Sequence, residues 1–153
     1  MNGTGRWSWV MLAAAFSALV LSTLPGKAQV AEPAKPMALR GVMVKLGSDM
    51  QAVAGAISME DWAMVAELAP KIANHAEPPV EEKARILTWL GAEAGKFRGN
   101  DVQSHEAATQ MGDAAKRGDG LAVIAAFSKV QQSCLGCHQS FRKRFVEQFY
   151  GKR

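Results

Sequence analysis

Only two cysteines, three histidines and one tyrosine occur among the 153 residues. There is no glycine-rich phosphate loop, no internal repeat and no sustained low-complexity tract, so nothing speaks for a nucleotide cradle or a repeat array. Hairpin turns flanked by β-branched and aromatic residues are missing as well, which removes the usual signal for a sheet. A hydrolase constellation is also lacking. His75 and His105 have no sequence neighbours that would make either one a catalytic base, and no enzymatic activity is expected.

A membrane-spanning run is absent too. The one extended apolar stretch, "WVMLAAAFSALVLSTL" from Trp9 to Leu24, has sixteen residues, whereas about 20 are needed to cross a bilayer. Arg6 precedes it, Pro25 and Gly26 break it, and Gly26 and Ala28 place small residues before a cut after Ala28. These features predict a secretory signal peptide over residues 1–28, a periplasmic location and no stable membrane insertion after cleavage. No cysteine follows the run, so a lipoprotein anchor is not expected.

Charge of one sign is scarce once that segment is removed. Cleavage takes away Arg6 and Lys27, leaving 18 − 2 = 16 basic against 14 acidic side chains. The remaining basic density is local, at Arg142, Lys143, Arg144, Lys152 and Arg153. A nucleic-acid partner would need a broader basic face. The cluster reads first as a solvated helix end; as a docking surface it would meet an acidic redox partner protein through salt-sensitive attraction, and charge alone names no such partner.

What is there is helical. After an Ala/Pro/Lys linker over residues 29–36, apolar residues recur at steps of three and four, which predicts an all-α domain over 37–153. Leu39, Met43, Leu46, Met50, Val53 and Ile57 form one stripe, giving a first helix from Met37 to Ile57. Ser58 and Asp61 are spaced as a capping box, so a second helix is expected from Met59, bent by Pro70 and carrying Trp62, Val65, Ala69 and Ile72 inward. Pro78 and Pro79 end it and open a short helical piece, and Gly91, Gly95 and Gly99 predict an irregular stretch. A third helix is expected from Asn100 to Arg117, its inner side mostly alanine, with Gly118 beyond its end. Asp119 caps a fourth, expected to run without interruption to Phe149, with Ile124, Phe127, Val130, Cys134, Cys137, Phe141 and Phe145 inward. Four such helices make an antiparallel bundle. Monomer and homodimer both fit.

Both cysteines fall in "CLGCHQSFR", Cys134 to Arg142. On a helix this spacing places Cys134 and Cys137 on one face about a turn apart, with His138 pointing the same way. Two thiols so placed can add to the two vinyl groups on one edge of a haem while the histidine coordinates its iron; C-x-x-C-H is the c-type haem attachment signature. A structural disulfide or redox dithiol would usually sit at the start of a helix beside a strand. A zinc site would need a fourth ligand besides Cys134, Cys137 and His138.

With this motif near the C-terminus of a four-helix pattern, the chain resembles the class II c-type cytochromes, the cytochrome c-prime family. The resemblance implies one haem c per chain, thioethers at Cys134 and Cys137, His138 as the proximal iron ligand, and Arg142 near the proximal side of the ring. Residues 78–100 depart from the family's long connection between its second and third helices; Trp62, Trp89 and Phe97 are candidates to shield the ring.

Members of that family divide by the sixth ligand. Some leave the iron five-coordinate and bind small gases; others are low-spin electron carriers with a methionine from the first helix. "RGVMVKLGSDM", with Met43, Gly47 and Met50, is similar to the methionine-ligated pattern, so Met43 is the expected sixth ligand, ahead of Met50 and His105. The expectation is a single-haem electron carrier with His138/Met43 ligation, the gas-binding protein being the alternative and a haem-free dithiol protein a third.

Overall fold

A computed structural model describes residues 36–151. The expected signal peptide, all but the last linker residue, and Lys152 and Arg153 lie outside that range. Within it the chain is all-helical and forms a four-helix bundle: α1 (Ala38–Ser58), α2 (Trp62–Ala73), α3 (Val80–Leu90), a 3₁₀ turn (Gly91–Glu93), α4 (Ala94–Lys116), α5 (Gly120–Cys137), a π turn (His138–Arg142) and α6 (Lys143–Tyr150). The last three are consecutive and make up the fourth long helix. No helix of the described residues is long and apolar enough to cross a membrane.

Several boundaries differ from expectation for identifiable reasons. Ser58 does not open a capping box: its hydroxyl donates back to the Ala54 carbonyl, and the chain instead turns through Glu60 at positive φ. Asp61 then caps α2, accepting from the Met64 amide at 2.9 Å, so the helix begins at Trp62 rather than Met59. Pro70 lies inside α2, which continues to Ala73. The glycine-rich stretch is more regular than expected, since α4 starts at Ala94 and passes through Gly95 and Gly99. Glycine in a helix costs about 1 kcal/mol relative to alanine, and the packing of α4 along both α2 and α5 offsets it.

The fourth helix is not uninterrupted α-helix either. Residues four apart drift by about 40° per step on an α-helix of 3.6 residues per turn. The π turn widens one turn, and Phe141, Phe145 and Phe149 all reach the same apolar cluster. Ile124, expected inward, is 52 % exposed, and Val123 takes the fully buried position beside it.

Two apolar clusters result. The first joins Val53 and Ala56 of α1, Val65, Ala69 and Ile72 of α2, Ala107, Ala108 and Met111 of α4, and Val123 and Val130 of α5. Its helices approach closely: a Cβ at Gly120 would stand 2.7 Å from the Trp62 ring. The second holds Met37, Ile86, Leu90 and Phe141, with Trp89, Phe145, Phe149 and Tyr150 against them.

That second cluster also secures the start of α1. No side chain of α1's own N-cap residue serves its first amides; Glu82 of α3 does, accepting from the Ala38 and Leu39 amides at 2.8 Å each. A carboxylate there also meets the positive end of the helix dipole. The Met37 amide donates to the Tyr150 hydroxyl at 3.0 Å, tying α1 to α6.

Candidate haem site

Between the two clusters lies a cavity of about 590 Å³, within the range of small-molecule and cofactor sites. Its walls come from α1 (Leu39, Val42, Met43, Leu46, Gly47, Met50), from Ile72, Ile86, Leu87 and Phe97, and from Cys134, Leu135, Cys137 and His138. Polar residues His75, Glu77, Lys83, Arg98, Asn100 and Asp101 line it as well. The lining is thus mainly apolar with a polar part, which suits a ring that is hydrophobic apart from its two carboxylates.

The α5 side is built by close contact with α4. Gly136 separates the cysteines, and a Cβ there would come within 3.2 Å of Asn100 Oδ1. Ser133 is buried and its hydroxyl donates to the Val130 carbonyl at 2.8 Å. Ser104 is then the donor to Ser133, at 2.6 Å, and its oxygen lies 3.9 Å from Cys134 Sγ.

No disulfide joins Cys134 to Cys137. Burial pushes the Cys137 thiol up to about 11, with the neighbouring Cys134 and Asp101 acting in the same direction. A redox dithiol needs a lowered thiol pKa, so the shift has the wrong sign for that chemistry. Among the described residues no cluster of three or more His, Cys, Asp or Glu side chains could hold a metal ion, which removes the protein-only zinc reading. The motif also stands at the end of a long helix, where the disulfide oxidoreductase arrangement would have it at the start. What fits is a large apolar group meeting both thiols and His138 in one cavity.

The structure therefore brings Met43, Cys134, Cys137 and His138 to a single cavity. Met50 and Phe97 line it too. Arg142 does not. It is exposed, in a surface depression with Lys143 and Val146 that shares Leu135 and His138 with the cavity. His105 is excluded as a cavity ligand: its Nδ1 lies 2.6 Å from the Ala73 carbonyl oxygen and it does not line the space. Trp62 and Trp89 do not shield the cavity either, because each is taken up by a cluster, Trp62 against Gly120 and Trp89 edge-on to Phe145 and Phe149. Phe97 alone of the three lines it, meeting Phe141 edge to face at 5.5 Å.

One pair had no signal in the sequence. His75, from the connection after α2, lies 3.1 Å from Asp101 of α4. The two are 26 residues apart, and neither forms a motif with its neighbours.

A family model described as Cytochrome C' matches residues 37–142, more than half of the chain. The cytochrome c' of Rhodospirillum rubrum is 27 % identical over 147 residues, covering 87 % of this chain and 97 % of that protein. No solved structure matches. The helical bundle, the C-x-x-C-H motif closing its α5 helix and the extent of the family match place this chain in the cytochrome c' family.

Proposed function

We propose that the cavity holds one haem c, attached through Cys134 and Cys137, with His138 as proximal ligand and Met43 as sixth ligand, and that the protein is a periplasmic single-haem electron carrier. The observation that carries this reading is the placement of Met43 on the α1 wall of the cavity that His138 and both cysteines line from the other end of the chain. When bound, the haem supplies a one-electron couple at its iron. The chain's own residues do the rest. The two thiols fix the ring covalently, His138 holds the iron, and Leu39, Ile86, Leu87 and Phe97 exclude water from it. A thioether at Met43 favours ferrous iron and raises the potential, while Gly47 one turn on leaves space for the ring. An acidic redox partner is the proposed docking protein, drawn to the exposed Arg142 and Lys143 beside His138.

The comparisons favour a second reading, because the similar Rhodospirillum rubrum protein bears the name cytochrome c' and no relative marks the chain as methionine-ligated. In that reading Met43 is an apolar cover, the iron is five-coordinate and the protein binds small gases. The two differ at one atom, the Met43 sulfur.

Covalent haem is tested first, by pyridine haemochrome analysis after acid-acetone extraction of protein matured with the haem-attachment machinery. Haem released by the solvent would end both readings. Given retained haem, the carrier reading expects a low-spin ferric spectrum with the weak red band of sulfur ligation and slow or incomplete carbon monoxide uptake. Met43→Ala then becomes high-spin, takes up carbon monoxide readily and falls in potential, whereas Met50→Ala stays low-spin. A wild type that is already high-spin establishes the gas-binding reading instead.

A further inference from the structure

His75 lines the cavity with both ring nitrogens committed to acceptors. Nδ1 is 3.1 Å from the Ala76 carbonyl oxygen and Nε2 is 3.1 Å from Asp101 Oδ1. A neutral imidazole carries one N–H, so it can serve only one of these oxygens. The imidazolium serves both.

From this geometry we infer that His75 is a proton-binding site coupled to the redox state of the haem, taking up a proton when the iron is reduced and releasing it on oxidation. The inference rests on the cavity being the haem site. Its electrostatic logic is direct. Reduction adds one negative charge to the cavity, and a cation on the cavity wall is stabilised by it, so proton affinity at His75 rises with reduction. For each iron reduced by a one-electron donor, here an electrode, neutral His75 gains a proton from solvent and becomes imidazolium. Charge and protons balance with no further reactant, and uptake is partial wherever His75 is already largely protonated.

The surroundings agree with that direction. The hydrogen bond to Asp101 raises His75 above its ordinary range, against the opposing effect of burial, and Ala76 and Glu77 act the same way as Asp101. Asp101 is in turn held below the usual carboxylate range, first by its hydrogen bond to His75 and also by the charges of His105 and Lys83. The other charged groups facing the pair are Glu77 and Lys83, joined by a 2.7 Å ion pair, and Arg98 of α4. The α1 wall contributes only apolar residues and Gly47. His75 is thus the group on these walls, outside the haem attachment motif, that changes charge near neutral pH. His75 and Asp101 both line the cavity together with Cys137 and His138.

The test is the midpoint potential of the holoprotein against pH, in wild type, His75→Gln and Asp101→Asn. In wild type the potential should fall as pH rises through the imidazole range and level off on either side. Proton affinity on the order of tenfold higher in the ferrous state corresponds to about 59 mV between the plateaus. His75→Gln, which keeps a hydrogen-bonding side chain without the charge, should be flat across that window. Asp101→Asn should move the window to lower pH. A slope unchanged in His75→Gln, with haem bound and spectrum intact, overturns the proposal and passes the titration to another group. Should that variant fail to mature, the ring-proton NMR titration of His75 in wild type, assigned against His105→Gln, decides: equal midpoints in ferric and ferrous protein overturn the proposal, and a higher ferrous midpoint supports it. Absence of covalent haem is visible beforehand in the haemochrome and would sink the parent reading instead.

Discussion

The two ends of the bundle hold together by different means. In the first cluster alanines from α2, α4 and α5 allow the helices to pack closely around Val53, Met111 and Val130. In the second a few large side chains fill the space: Trp89, Phe145 and Phe149 meet edge-on or tilted, and Phe97 meets Phe141 in the same way. Arg144 lies over both Trp89 and Phe141 while its guanidinium donates to Glu93 at 2.7 and 3.0 Å. Small residues spread stability over many close contacts; aromatic ones concentrate it in a few large buried areas. The cavity lies between, so damage at either end should reach it in a different manner.

Phe141→Ala should have the largest effect on folding. It removes a ring that is 3 % exposed and should cost about 3–5 kcal/mol, read from urea denaturation of the holoprotein. Phe97 would lose its edge-to-face partner on the cavity wall, so the Soret band should shift as well. A loss under about 1 kcal/mol would show that the aromatic end collapses around the gap and is less rigid than its geometry implies.

Gly120→Ala probes the other end with a single methyl. The added carbon meets the Trp62 ring at 2.7 Å, and overpacking of this kind costs about 1–3 kcal/mol. No Soret shift is expected, because neither residue lines the cavity. Unchanged stability would mean that Trp62 turns aside, and the close packing of the first cluster would be looser than described.

Glu82→Ala should cost least, about 0.5–2 kcal/mol as for loss of a helix cap. The first turn of α1 should then exchange its amide hydrogens faster than the rest of the helix. Equal protection along α1 would show that Tyr150 alone suffices to hold its start.

The legible parts of this molecule are those whose signal is local. The C-x-x-C-H motif, the Asp119 cap, the alanine face of α4 and most of the α1 stripe each lie within a few turns of helix and stand where expected; Met43 of that stripe, expected inward, is 40 % exposed. Asp119 does accept from the Ala122 amide at 3.0 Å. The start of α4 was not legible, since Gly95 and Gly99 argue against helix locally while packing against α2 and α5 holds it. Ile124 and Val123 are both apolar and adjacent, so periodicity alone could not say which faces inward. Trp62 and Trp89 read as ring shields because aromatic character says nothing about which cluster will take them. Glu82 and Asp101 act on partners far away in sequence, and only the fold shows them.

The contact between Met37 and Tyr150 spans 113 positions, and it has a consequence for the order of events as the chain is made. The first helix of the bundle is secured by nearly the last residue described. Until Tyr150 has been made, that latch cannot close, and the α1 wall lacks one of its fastenings while Cys134 and Cys137 are already in the chain. Loop closure over such a separation is slow compared with local helix formation. The Met37–Tyr150 contact is therefore expected to close after the local helices have formed, as one of the last steps in completing the α1 wall.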